Sequence, residues 1–283
     1  MIWSSFGPFV WLLGFLFGTR PCWESVYSVN RSRAVVRVGL PAKNSALPRA
    51  SGRRVYGHPD YAGNSHPGKT RAASWFLYFL GRYVGGLLYR VRVQGLEHLP
   101  PSGPVLVLAK HQRNEDTPMG YAWVLTRRRL DNWCIMKHEL VAPHYLGFCL
   151  KCGGIPINRE RPMRSRPHLR LARRVLHDGR LLVIYPEQTF FENEVGPGRL
   201  PGFRCLVKKN EIPIQVLCLG YEYRRAPGSL RTTLFLRLSP ARDYSWPEDP
   251  ARFLHERMQE LARLSGLSYE HPPVLRSRAS QKS

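Results

Sequence analysis

The chain has 283 residues, 43 Lys and Arg against 20 Asp and Glu, and a net charge of +23. That length holds one large domain or two small ones with a substantial core, and 43% hydrophobic with 22% charged residues fits a globular protein. The cation excess draws phosphates, whether on nucleic acid, an anionic bilayer or an acidic protein, and six scattered cysteines exclude a small disulfide-stapled fold.

Residues 1–18 are strongly apolar yet carry Ser4, Ser5, Gly7, Pro8 and Gly14, and no Lys or Arg precedes Arg20. The segment is slightly short for a spanning helix and lacks the basic start of a secretory signal. It reads either as a membrane anchor or as a mis-set translation start. An inserted segment followed by basic residues favours an N-out orientation with the main domain in the cytosol. Residues 19–72, rich in Arg, Ser, Gly and Pro, read as a basic disordered linker. The folded domain is expected over 73–283.

That domain opens with Trp75, Phe76, Tyr78, Phe79, Leu80, Tyr83, Val84, Leu87, Leu88 and Tyr89 at helical spacing, with Arg82 and Arg90 beside them. Such a helix packs on a core or lies in a membrane interface, with aromatics at headgroup level and arginines on anionic lipid. Downstream, strands are predicted at 105–108, 133–136, 155–157, 181–185, 213–219 and 233–238. Helices are predicted at 118–129, 144–152, 167–178, 202–209 and 251–264. The alternation predicts an α/β domain, a mostly parallel mixed sheet flanked by helices, preceded by an N-terminal amphipathic membrane-associating helix. Sites in such sheets gather at the carboxyl ends of the strands, and His111, Arg159 and Glu187 each follow a predicted strand. Cys149 and Cys152 form a CxxC with no second close pair, which reads as two small buried side chains rather than a metal site. His138 and His144 read as surface or packing histidines. No metal-ligand spacing occurs.

His111 and Asp116 stand five positions apart behind the apolar run Val105–Ala109. A histidine oriented by a carboxylate supplies a base near neutral pH. Three further blocks follow: Gly154-Ile155-Pro156-Ile157-Asn158-Arg159, Tyr185-Pro186-Glu187-Gln188-Thr189, and Ile212-Pro213-Ile214. Together with Lys137-His138-Glu139-Leu140, they resemble in order and spacing the glycerolipid acyltransferases, the family of 1-acylglycerol-3-phosphate acyltransferase, over roughly 74–265. The resemblance implies that His111 is the general base and Asp116 its orienting carboxylate. It places Arg159, Glu187, Thr189 and Arg204 around the acceptor headgroup, and Pro213 in the fourth block. Lys137 is a candidate oxyanion or donor contact. It implies no cofactor beyond the donor substrate, acyl-CoA or acyl-ACP, and no acyl-enzyme. The expected partners are an anionic membrane surface, a lysophospholipid and acyl-carrier protein, at the cytoplasmic face of the cell membrane.

Departures from the family pattern matter. Lys110 precedes His111 where the family usually has Asn. Gln188 stands in place of Gly and Phe190 in place of Arg in the third block. Glycine permits unusual dihedrals, so its loss points to a reshaped acceptor pocket, and the lost arginine removes a cation for the acceptor's phosphate. Arg204 stands where a lysine is common and compensates in part. Simpler roles exist for two of these residues: Arg159, with Glu160 and Arg161, also suits a solvated turn, and Glu187 after Pro186 also suits a turn cap. A specific nucleic-acid binder is disfavoured, since no RNP, helix-turn-helix or zinc-finger signature appears. A catalytically altered lipid-binding relative, or acylation of a non-glycerophosphate lysolipid such as an amino-acid-containing lipid, are the alternatives.

Overall fold

A computed structural model describes residues 66, 68–141, 147–159, 162–209 and 213–272. The apolar segment 1–18, the linker up to residue 65, Cys22 and His144 lie outside the described residues.

Helix α1 (Arg71–Phe79) starts at Thr70, whose hydroxyl accepts from the Ala73 amide at 3.4 Å. It continues through a π-helical stretch (Leu80–Val84) into α2 (Gly85–Leu88). Ala73, Leu77, Leu80, Gly81 and Gly85 are buried. Trp75, Phe79, Tyr83 and Leu87, four residues apart, are exposed. This one helical face therefore stays unpaired while the other packs on the domain. Tyr89, assigned by its spacing to the helix, instead opens strand β1 (Tyr89–Gln94). The period-two alternation of Arg90 and Arg92 with Val91 and Val93 marks a half-buried edge strand, blunted by its outward arginines.

Then come β2 (Val105–Ala109), α3 (Asp116–Trp123), β3 (Asn132–Lys137), α4 (Phe148–Lys151), β4 (Gly154–Ile157), α5 (Arg166–His177), β5 (Leu181–Ile184), α6 (Leu200–Val207), β6 (Ile214–Arg224), β7 (Thr232–Leu238), β8 (Arg242–Tyr244) and α7 (Pro250–Ser265). All six predicted strands form. β1 and β8 were not anticipated, β8 being only three residues long.

The eight strands make one mixed sheet in the order β1-β7-β6-β2-β5-β3-β4, with β8 pairing β6. Only the β6–β7 and β6–β8 pairs are antiparallel. β2 and β5 are buried at every residue, as befits central parallel strands covered on both faces. Leu106 and Leu108 of β2 point into a core with α5, α6 and α7. Val105, Val107 and Ala109 point into the opposite core with Met119 and Tyr221. Because β2, β3, β4, β5 and β6 run parallel, their carboxyl ends share one edge.

α1 and its π-helical continuation pack on α3 at Gly81, where an added Cβ would collide with the Pro118 carbonyl oxygen. Trp123 Nε1 donates to Gly81 O at 2.9 Å, and Arg82 lies 3.8 Å over the Trp123 ring. The five cysteines among the described residues are free thiols. Burial pushes Cys134 up to about 12 and Cys149 up to about 11, which leaves them unreactive at neutral pH.

Gly81→Ala is expected to cost about 2 kcal/mol, because backbone rather than a movable side chain blocks the methyl; the denaturant midpoint measures it. A second expectation concerns acid. Burial, with His66 nearby, holds His168 of α5 down at about 4 from the ordinary 6.5. The unfolded chain then binds the proton first, so stability is full above about pH 6.5 and declines as pH falls toward 4. Melting temperature should drop across that window, and less steeply in His168→Leu.

Candidate active site

His111 follows β2 directly, and Asp116 opens α3. An anion in the first helical turn is favoured by the helix dipole. His111 Nδ1 lies 3.4 Å from Asp116 Oδ2, with the carboxylate buried and 18% of the imidazole side chain exposed. Asp116 Oδ2 also accepts the amides of Gln112 at 2.6 Å and Arg113 at 2.8 Å. Asp116 Oδ1 accepts the Tyr223 hydroxyl at 2.5 Å. Burial and the adjacent Asp116 push the Tyr223 hydroxyl well above its ordinary value, so it remains a donor. Asp116 is thus held from the loop, from α3 and from β6 at once.

The imidazole is also fixed by aromatic rings. Tyr185 stacks on it with centroids 4.2 Å apart and planes 28° apart, and Phe190 lies 4.1 Å away at 40°. Both rings lie against the imidazole and limit its reorientation. The Tyr185 hydroxyl is in turn tied to Thr117 Oγ1 at 2.7 Å.

Behind the histidine sits a buried ion pair. Lys110 Nζ donates to Glu187 Oε1 at 2.9 Å and Oε2 at 3.1 Å, with both side chains fully buried. It also donates to Phe191 O at 2.7 Å. Glu187 further accepts the amides of His111 at 3.2 Å and Gly196 at 2.7 Å. Burial pushes the Glu187 carboxyl up and the Lys110 ammonium down; the charge and hydrogen bonds of each partner oppose that shift. Lys110, a departure in the first block, is therefore the counter-charge of the third-block glutamate. Glu187, expected at the acceptor headgroup, has its carboxylate turned inward with protein donors on both oxygens.

The remaining residues lie outward. Arg159 follows β4, is exposed, and donates through Nη1 to Gln188 O. Gln188 has φ of 61°, the left-handed backbone that glycine adopts freely, so the turn keeps the conformation while losing the residue suited to it. Thr189 is exposed beside it. Lys137 Nζ lies 6.0 Å from the Phe190 ring centroid, which sets it at the rim of the histidine's aromatic cover. Arg204 is exposed on α6, whose Gly202 approaches the Gln188 side chain; no contact brings Arg204 to His111 or Asp116. Pro213 is exposed just before β6. His138 pairs with Glu139 at 3.2 Å, and Glu139 lies within electrostatic reach of Arg159. Among the described residues, no cluster of three His, Cys, Asp or Glu gathers to hold a metal. Tyr223, Tyr185 and the role of Lys110 had no local sequence signal, since each acts through residues 68–107 positions away.

Residues 90–219 match the model of the acyltransferase family. The chain carries an acyltransferase-family domain. All of the first three blocks and the fourth fall within it. Among solved structures the chain is similar to the crystal structure of the 1-acyl-sn-glycerophosphate (LPA) acyltransferase PlsC from Thermotoga maritima, with a TM-score of 0.50 and 20% identity over 70% of this chain and 81% of that one. At that identity the likeness concerns the fold. No curated protein matches the acyltransferase chain.

Glu187→Gln should destabilise the acyltransferase by about 3 kcal/mol, because it strands the Lys110 ammonium in the core. Adding Lys110→Met should recover part of the loss, since no unpaired charge remains and the glutamine oxygen still accepts an amide. Urea unfolding of the two variants tests this.

Proposed function

We propose that the domain transfers a fatty acyl group from an acyl-CoA or acyl-ACP thioester to the free hydroxyl of a lysophospholipid-like acceptor, in phospholipid biosynthesis. The observation that carries this reading is the held imidazole: Nδ1 faces Asp116, and the Tyr185 and Phe190 rings lie against it with centroids 4.2 and 4.1 Å away. With its Nδ1–H directed at Asp116, the ring keeps the Nε2 lone pair for the acceptor. His111 takes the hydroxyl proton as the acceptor oxygen attacks the thioester carbonyl. The tetrahedral adduct collapses, the carbon–sulfur bond breaks, and the departing thiolate receives the proton from the imidazolium. Asp116, held in place by three donors, and the two neighbouring rings favour the transient imidazolium. The thioester already activates the acyl group, so positioning and the base carry most of the demand. Glu187 serves by holding the His111 backbone. Arg159, Thr189, Lys137 and Arg204 are the outward groups left for acceptor and donor, a guanidinium suiting phosphate oxygens.

The same reading sets the enzyme on an anionic membrane, at its cytoplasmic face. Among the described residues no helix is long and apolar enough to cross a bilayer. The exposed stripe Trp75, Phe79, Tyr83 and Leu87 suits an interfacial helix instead, with Arg71 and Arg90 exposed at its two ends. The +23 charge supports the choice of anionic lipid and would also suit an acidic carrier protein.

One observation favours a narrower acceptor. Phe190, 38% exposed, covers the imidazole with an apolar ring. An acceptor whose phosphate lies away from the attacking hydroxyl, or is replaced by another headgroup, fits this wall better than 1-acylglycerol 3-phosphate. A lysolipid panel with phosphate, ethanolamine, glycerol and amino-acid headgroups, run with both donors, ranks these.

His111→Ala is expected to lower turnover about a thousandfold while leaving vesicle binding intact. Purified protein with a labelled acyl thioester measures it, and retained turnover would rule out the proposed base.

A further inference from the structure

Leu230 is 95% exposed, more than any other large apolar side chain among the described residues. It sits in the turn between β6 and β7, where the stretch 224–231 carries Arg224, Arg225 and Arg231 and no acid. The turn is built rather than loose. Ser229 N donates to Ala226 O at 3.0 Å, Ser229 Oγ donates to Arg231 O at 2.8 Å, and Gly228 takes φ of 72°. Arg231 Nη2 donates to Tyr89 O at 2.8 Å and also to Gly86 O. The tip is thereby fastened to the end of α2, where Leu87 is 75% and Leu88 48% exposed. Three leucines from two distant stretches are thus gathered in one region with cations around them.

The hairpin also has a direction. β6 runs parallel to β2 and passes beyond the last shared pair, Ala109 with Leu219, to reach Arg224. Five further residues add about 16 Å on the edge that carries His111, Arg159 and Glu187. On the way, Tyr223 reaches back to Asp116. Any surface that grips this tip meets the catalytic edge of the sheet.

We propose that the β6–β7 hairpin tip is a second membrane contact, placing Leu230 among the acyl chains of an anionic bilayer with Arg225 on lipid phosphates. It rests on the membrane reading of α1 and α2 and adds orientation to it. A helix alone lets the domain roll about the helix axis; a second contact off that axis stops the roll and turns the histidine edge toward the lipid. The occupant follows from charge complementarity: Glu222 pairs with Arg224 and Arg237, Arg225 stays exposed without an acid partner in the turn, and an apolar apex beside that cation matches acyl chains beneath phosphate.

The test is flotation of the full chain with vesicles of phosphatidylcholine, alone and mixed with phosphatidylglycerol. Leu230→Asp should lower the partition coefficient on the mixed vesicles about tenfold, and Arg225→Gln several-fold, with unchanged melting temperature because neither side chain is buried. Phe79→Asp, on the helix, serves as the separate probe of the underlying reading. If Phe79→Asp loses binding while Leu230→Asp partitions like the wild type, the tip proposal falls and the helix reading stands. If both variants bind like the wild type, both fall. Equal wild-type binding to pure phosphatidylcholine overturns the anionic headgroup. A wild-type dimer that Leu230→Asp converts to monomer, by analytical ultracentrifugation, makes the tip a protein interface and overturns the proposal.

Discussion

The buried contact between Lys110 and Glu187 is the constraint on which the rest of the site depends. A charged group removed from water is tolerated only with a partner and a full set of hydrogen bonds, and here each has both. Lys110 follows β2, Glu187 follows β5, and the amides that complete the carboxylate belong to His111 and Gly196. Three separated stretches of chain are therefore tied at one point, and that point is the backbone of the candidate base. The return hydrogen bond from Phe191 N to His111 O, at 3.4 Å, closes the same junction.

Around that junction the site divides its charges by depth. Inward, the charges of Glu187 and Asp116 are spoken for: Glu187 by Lys110 and two amides, Asp116 by two amides, a tyrosine and the imidazole. These groups set geometry and have nothing left to offer a ligand. Outward, Arg159, Lys137 and Arg204 are exposed, which is the arrangement expected where phosphate-bearing molecules arrive. The imidazole stands between the layers, with aromatic faces fixing its plane and one carboxylate fixing its rotation. In the proposed reaction, this division would let one sheet edge support both a precise proton transfer and an adaptable acceptor site. In the proposed membrane-bound orientation, the helix stripe and the hairpin tip would extend the outward layer toward lipid.

Much of the fold was legible because central parallel strands are continuous apolar runs. Val105–Ala109 and Leu181–Ile184 have few alternatives, and their order with intervening helices already implied a parallel sheet. β1 was hidden because it follows an aromatic-rich helix without a break: Tyr89 suits either element, and only the parallel pairing of Tyr89–Gln94 with β7 decides it. β8 is too short for any periodicity. In the site, His111 and Asp116 were legible because five residues separate them and a strand end and helix start suffice to bring them together. Glu187 was legible as a site residue but its partner was not. Lys110 was visible only as a departure from a pattern, since the 77 positions between them carry no local trace of contact. Gln188 shows the converse: the turn keeps its left-handed backbone although the residue no longer announces it.

By itself the sequence determined which residues are apolar, where strands and helices alternate, and which polar groups stand at strand ends. Those follow from local periodicity and short-range spacing, and with the motif order they reach the acyltransferase class. Only the tertiary structure decided that Glu187 faces Lys110 rather than a ligand, that Tyr223 completes Asp116, that Phe190 covers the imidazole, and that Leu230 stands beside α2. Each of these rests on contacts between elements far apart in the chain. Burial and electrostatic pairing act through space, and only the folded sheet brings those residues into range.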